Sequence, residues 1–309
     1  MLTIVMPTKN HAQYLKNAIN NIFSYPSLPV NLLVCDDAST DETNYILSEF
    51  CDDSRIRAFR HNFSLGAIET SMELFELVKT PYVMFMASDD YFYPDRIFEL
   101  LRLMISKNSS LGFGKYSILE NDNLLDIKHP GWIVRSQIDA DDFQALLACD
   151  HYIFGGVTIY KKSDLPRYTT REIPFNLDLN KILHADGLGE LRAHDWNLAL
   201  DMALLWPNKI CFYDQYCGVF RIVSNQLSSH DKYHGTGRAA AEMALLIKYK
   251  LSNSENVNKI SLAISPMIRD LFINKVNATT NENKKTKVYR EIYLPIMREA
   301  AAIIDSLPT

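Results

Sequence analysis

Two acidic pairs, Asp36-Asp37 and Asp89-Asp90, each follow a run of apolar residues, Val30 to Cys35 and Tyr82 to Met86. Adjacent carboxylates repel, and each raises the other's pKa unless a cation or several hydrogen-bond donors neutralise the pair. Hard carboxylate oxygens suit Mg2+ or Mn2+, ions that complete their shell with water and phosphate oxygens rather than a full cage of side chains. Asp89-Asp90 is therefore a candidate metal site; the competing reading has Asp89 capping the helix that begins near Pro94 and Asp90 in solvent. Asp36-Asp37 suits a different task, accepting from a nucleobase ring N–H or from ribose hydroxyls, or else closing an Asx turn into Ser39. No G-x-G-x-x-G follows the first strand and no G-x-x-x-x-G-K-[ST] occurs, so dinucleotide enzymes and P-loop NTPases are disfavoured.

The elements that must position these groups alternate regularly. Leu2 to Met6 reads as a strand stopped by Pro7, and apolar residues from Tyr14 to Ile22 recur at helical spacing. Strands are expected at Val30 to Cys35, Ile56 to Phe59 and Tyr82 to Met86, with helices at 45–50, capped by Ser39 or Thr40, and at 68–78. Such alternation implies an α/β fold with a parallel sheet covered by helices. Ligands of open parallel sheets gather at the carboxyl ends of the strands, where loops and helix N-termini converge. The polar segments Pro7-Thr8-Lys9-Asn10, Asp36-Asp37, Asn62 to Gly66 and Asp89-Asp90 all fall there. Beyond residue 111 the pattern loosens: Gly155 to Tyr160, a helix from Asp195 to Leu205, and two strands, Lys209 to Tyr213 and Cys217 to Arg221. From Arg238 helical segments at 238–251, 257–275 and 285–305 suggest an appendage.

Composition narrows the classes. A chain of 309 residues, 47% hydrophobic and 22% charged, can bury a real core, and a net charge of -5 speaks against a nucleic-acid partner. Five cysteines without a C-x-x-C pair suggest neither a zinc knuckle nor a disulfide framework, which fits a reducing, cytoplasmic setting. No apolar run reaches the roughly 18–20 residues that span a bilayer, and the chain opens on a strand rather than a signal peptide. The expectation is a soluble or peripheral protein.

Taken in order, Val5-Met6-Pro7-Thr8-Lys9-Asn10, Cys35 to Asp41, Tyr82 to Asp90, Pro94-Asp95-Arg96, Gly155 to Lys162 and His194-Asp195-Trp196-Asn197 resemble the inverting GT-A glycosyltransferases of family 2. The resemblance covers about residues 1–230. It implies a GT-A fold, a mainly parallel central sheet flanked by helices, here with a C-terminal helical extension. The division expected is a catalytic domain at 1–235, with a nucleotide-binding half at 1–110 and an acceptor half at 111–235, then an extension at 236–309. It implies a UDP-sugar donor bordered by Pro7, Thr8, Lys9, Asn10 and Ser39, with Asp37 on the uracil ring and Asp89 on the ribose or helping the metal. Asp90 would bind Mn2+ or Mg2+, Arg221 would meet the diphosphate, and Asp195 would be the general base. Gly155, Gly156, His194 and Trp196 would face the donor sugar or the acceptor, a glycan or lipid-linked glycan. His194 stands where many relatives carry Glu, and Ser71-Met72 where many carry Arg-Asn. The Lys and Arg residues of the tail allow peripheral membrane contact at the inner face or self-association. Two rival readings are a nucleotidyltransferase that makes nucleotide sugars and a non-catalytic binding or scaffold module. The former normally brings a Gly-rich basic loop after the first strand, which Pro7-Thr8-Lys9-Asn10 is not.

Overall fold

The computed structural model describes residues 1–120, 123–126, 155–165, 194–206, 208–223, 238, 241–242, 244–246 and 289–306. The chain divides into two compact units: Met1–Ser136, Ile153–Thr170 and Lys209–Ile222 form the first; Gln137–Tyr152, Arg171–Asn208 and Val223–Thr309 the second.

The first unit is built on one sheet. Strands β1 (Leu2–Thr8), β2 (Val30–Asp36), β3 (Ile56–Arg60) and β4 (Tyr82–Phe85) run parallel in the order β3-β2-β1-β4. Residues of β1 and β2 are buried almost throughout, as expected of strands covered on both faces by crossover helices. Helix α1 (Ala12–Ile22) buries Leu15, Ala18, Ile19 and Ile22, an i, i+3, i+4, i+7 stripe. Helices α2 (Thr43–Ser48) and α3 (Ala67–Glu76) follow β2 and β3. Helix α4 (Pro94–Lys107) starts with Pro at its first turn, where a missing N–H costs nothing, and ends at Asn108 in the left-handed conformation that closes helices. The expected caps differ: neither Ser39 nor Thr40 caps α2, whose N-cap is Glu42 and whose first N–H, on Thr43, donates to Asp41 Oδ1 at 3.0 Å, and the residue before α4 is Tyr93, not Asp89.

Beyond β4 the sheet becomes mixed. β8 (Thr158–Lys161) pairs antiparallel with β4, β6 (Leu111–Glu120) with β8, and the short β7 (Asn123–Asp126) with β6. Segments 209–213 and 217–221, expected as two strands, form one, β9 (Ile210–Ile222), parallel to β6. Asp214-Gln215 reads as a break, yet the register shifts opposite Gly114, Lys115 and Tyr116 absorb it as a bulge, and Lys115 pairs with Asp214 across it. The last two-residue strand, β5 (Tyr91–Phe92), lies antiparallel to β9, with Tyr91 opposite Val219 and Phe92 opposite Gly218. That pairing brings the chain just after Asp89-Asp90 alongside Arg221.

In the second unit the described elements are α5 (His194–Leu205), helical residues among 238–246, where Arg238 and Glu242 form a fully buried pair at 2.7 Å, and α6 (Leu294–Asp305), entered through a π-helical turn at Tyr289–Tyr293. No helix among the described residues is long and apolar enough to cross a membrane. The expected segment 257–275 and the basic residues Lys248, Lys250, Lys284, Lys285 and Lys287 lie outside the described residues.

Gly218 marks a junction of the first unit where backbone, rather than side chains alone, crowds the position. A Cβ there would stand 2.6 Å from Val157 Cγ1, 2.9 Å from the Tyr91 carbonyl and 3.1 Å from Phe92 Cα. Two of these three atoms belong to backbone and cannot swing aside, so Gly218→Ala is expected to cost about 1–3 kcal/mol. A urea unfolding midpoint unchanged in that variant would contradict the packing described for β5 and β9.

Candidate active site

Strand β1 has β2 on one side and β4 on the other, so the chain's direction of winding reverses at β1, and a crevice opens at the carboxyl ends of these strands. The loops around it are tied together by side chains. Asn10 and Ala38 both take positive φ, 54° and 58°. Asn10 tolerates this readily, whereas for Ala38 it is a strained position held by its surroundings. Asn10 N–H donates to Ser39 Oγ at 2.8 Å, and Thr40 N–H donates back to Asn10 Oδ1 at 2.9 Å. The start of α1 is held from the segment entering α2: Ala12 N–H donates to Asp41 Oδ2, and the N–H of His11, just before the helix, to Thr43 Oγ1. Ser39, expected as a cap for α2, instead links the first two loops.

The two acidic pairs serve opposite ends. Asp36 closes a turn into Ser39, accepting from its N–H three residues on at 2.8 Å rather than two on as in an Asx turn, with Arg60 Nε 3.5 Å from its other oxygen. Asp37 has four donors: His61 at 2.9 Å, Ser64 Oγ at 2.6 Å, and the N–H groups of Leu65 at 2.8 Å and Gly66 at 2.9 Å. Burial opposes its charge, but these hydrogen bonds outweigh burial and hold the carboxyl at about 2. Pro7 is half-buried, Thr8 is buried, and Lys9 is exposed with its ammonium donating to Ser64 Oγ at 2.8 Å.

His61 escaped the sequence reading, although the loop that follows it was recognised as part of the rim. Its other ring nitrogen lies 2.9 Å from Glu73 Oε2. Carboxylates accept and do not donate, so both bonds form only when both ring nitrogens carry protons. Burial lowers the His61 pKa, but the hydrogen bonds to Asp37 and Glu73 more than reverse this and raise it above its ordinary 6.5.

Asp89 and Asp90 are buried, 6% and 4% exposed, which removes the solvated reading of Asp90. Asp90 Oδ1 accepts from Arg221 N–H at 2.8 Å, and Arg221 Nε donates to the Asp89 carbonyl at 2.9 Å. The guanidinium sits 5.2 Å from the Tyr14 ring centre and 6.0 Å from that of Tyr91, a cation–π position on both. With Asn17, Ala18 and Asn21 these groups line a cavity of about 120 Å3. His11, also missed from sequence, stands 4.0 Å from Asp89 Oδ1 and bonds Ser88 Oγ at 2.8 Å, while Ser88 donates on to Thr8 at 2.8 Å. Ser88 has one proton and spends it on Thr8, so His11 Nδ1–H is the donor to Ser88.

Despite Arg221 and His11, the pair remains short of positive charge. Burial raises the Asp89 carboxyl, and burial together with repulsion from Asp89 drives that of Asp90 well above the ordinary range. Two buried hard-oxygen donors in that condition fit Mg2+ or Mn2+. Among the described residues no cluster of three His, Cys, Asp or Glu side chains could hold a metal. Such ions take water and substrate oxygens to complete their shell.

Gly155 and Gly156 begin a 3-10 turn leading into β8; among the described residues a Cβ on Gly155 would meet only the Phe85 carbonyl, at 3.7 Å. His194, Asp195 and Trp196 open α5, in the second unit, and their side chains lie outside the described residues. Ser71 donates to Ala67 O at 2.7 Å within its own helix.

Comparison with known proteins fits this rim. The profile of Glycosyl transferase family 2 matches residues 3–176, more than half of the chain. The chain belongs to that family. Among curated relatives it is similar to the Escherichia coli UDP-Glc:alpha-D-GlcNAc-diphosphoundecaprenol beta-1,3-glucosyltransferase WfgD, 26% identical over 125 residues, 40% of this chain and 49% of WfgD. The matched region spans about half the length of such relatives. Among solved structures, Staphylococcus aureus TarS 1-349 in complex with UDP-GlcNAc superposes with a TM-score of 0.61 at 14% identity, covering 98% of this chain and 88% of TarS. The Pyrobaculum calidifontis mannosyltransferase PcManGT, in complex with GDP-Man and Mn2+, does so with a TM-score of 0.54 at 14% identity, over 98% and 86%. These neighbours establish a GT-A fold for this family 2 member.

A raised native pKa stabilises fully below the unfolded value, 6.5 for histidine, and that contribution is lost as pH rises through the native value. Wild type should therefore melt above His61→Gln at pH 6, with the gap narrowing by pH 9. A gap that is constant or widens over this range would show His61 to be uncharged.

Proposed function

We propose that this family 2 member transfers a hexose or N-acetylhexosamine, with inversion, from a UDP-sugar to a glycan or lipid-linked glycan in surface polysaccharide biosynthesis. The observation that carries the reading is the buried Asp89-Asp90 pair beneath Arg221 at the point where the sheet reverses. A hollow lined by buried acids that lack positive charge suits a nucleoside diphosphate arriving with its divalent cation. The acceptor class is supported by WfgD, named for a sugar on diphosphoundecaprenol.

Asp90, with Asp89 beside it, would hold Mn2+ or Mg2+. Bound there, the ion would neutralise charge on the departing diphosphate. Arg221, fixed between Tyr14 and Tyr91, adds a permanent positive charge next to the leaving group. Pro7, Thr8 and Lys9 border the base and Asp37 accepts from its ring N–H, while Asn10 and Ser39 keep that rim in place. Asp195, which matches the family's general-base position in sequence, takes the acceptor hydroxyl's proton as the new bond forms. His194, Trp196, Gly155 and Gly156 are assigned to the acceptor or the donor sugar. Residues 1–235 are assigned to catalysis and 236–309 to the helical extension.

Two variants test separate halves of this scheme. Ligands that bind only the native state raise its melting temperature. UDP with Mn2+ should do so in wild type, and Asp90→Asn should lose the Mn2+-dependent part; a shift kept in full would remove Asp90 from the metal site. Asp195→Asn should lower transfer by about 10^2–10^4-fold with UDP affinity nearly intact, and undiminished turnover would reject it as the base. Release of UDP from UDP-sugars, rather than pyrophosphate from UTP and a sugar phosphate, separates transfer from nucleotide-sugar synthesis.

A further inference from the structure

The Asp37 carboxylate offers about four acceptor positions, and the chain's own donors fill them all: His61 and Leu65 N–H on Oδ1, Ser64 and Gly66 N–H on Oδ2. A base that presents a ring N–H here must displace one of them. Leu65 and Gly66 donate from the backbone at the start of α3, where Gly66 takes a φ of 92° open to few other residues. His61 is held between two carboxylates, and withdrawing it would leave both without their cation.

Ser64 differs in three respects. It is exposed, its hydroxyl turns about a single bond, and its oxygen already accepts from Lys9 Nζ at 2.8 Å. When its proton leaves Asp37, the side chain keeps a partner. We propose that the Ser64 hydroxyl is a placeholder for the donor's base: the ring N–H takes its position on Asp37 Oδ2, and Ser64 turns outward while remaining the acceptor for Lys9. Ser64 is thereby a specificity-determining residue. Entry rewards a base whose ring nitrogen carries a proton, as in uracil or guanine. Cytosine, whose corresponding nitrogen has a lone pair, meets a carboxylate and cannot dislodge the hydroxyl.

This inference rests on the assignment of Asp37 to the base, and the test separates the two. Affinities of UDP, GDP, CDP and N3-methyl-UDP are measured by calorimetry with Mn2+ for wild type, Ser64→Ala and Ser64→Cys, the second preserving the side chain's size with a weaker donor. Removing an internal competitor worth one net hydrogen bond should tighten UDP or GDP about three- to tenfold in Ser64→Ala. Ser64→Cys should show a smaller gain, and CDP and N3-methyl-UDP should not change. If wild type binds UDP or GDP but neither variant binds it more tightly, or all four ligands tighten alike, the placeholder role is refuted while the donor reading survives. If wild type binds none of the four, both are refuted.

Discussion

Two like charges buried side by side at the end of a strand set the terms for the rest of this molecule. An ionised carboxylate taken out of water costs several kcal/mol even after relaxation, and Asp89 and Asp90 are both almost fully enclosed. The chain offsets part of that cost with long-range contacts. A two-residue strand, β5, pairs with β9 and carries Arg221 to the pair from 131 positions away in sequence. Two tyrosine rings hold the guanidinium, and His11 approaches from the loop after β1. The remaining deficit is what the proposed cation, with the anion it brings, would offset.

The neighbouring acidic pair shows the opposite solution in the same rim. Asp37 is fully supplied with donors and stays an anion well into acid, whereas Asp90 is pushed toward neutrality. One carboxylate organises a loop; the other is left short of positive charge. The difference lies in their surroundings: a segment rich in N–H groups folds over the end of β2, while the end of β4 faces a cavity walled by aromatic rings, asparagines and another carboxylate. Reciprocal bonds between Asn10, Ser39 and Thr40, and the left-handed backbone at Asn10 and Ala38, keep the two environments apart.

Much of this was legible beforehand. The alternation of apolar runs with helical stripes determines the four parallel strands and their covering helices, because periodicities of 2 and 3.6 residues are local properties of the backbone. Placement of the polar segments on one rim follows, since parallel strands joined by helices put all their exits on the same edge. The family, too, could be read from short motifs in order. Sequence alone did not show which member of Asp36-Asp37 would close a turn, that Ser39 would join two loops rather than cap a helix, or that Asp214-Gln215 would be a bulge within one strand. Nor did it single out His11, His61, Ser64 and Glu73 as partners of the acidic residues. Apart from the Asp36 turn, each depends on groups 12 to 99 residues apart meeting within about 4 Å. Local propensity carries no information about such meetings. Only closure of the sheet, which fixes register to a single residue, decides whether a carboxylate faces four donors or another carboxylate.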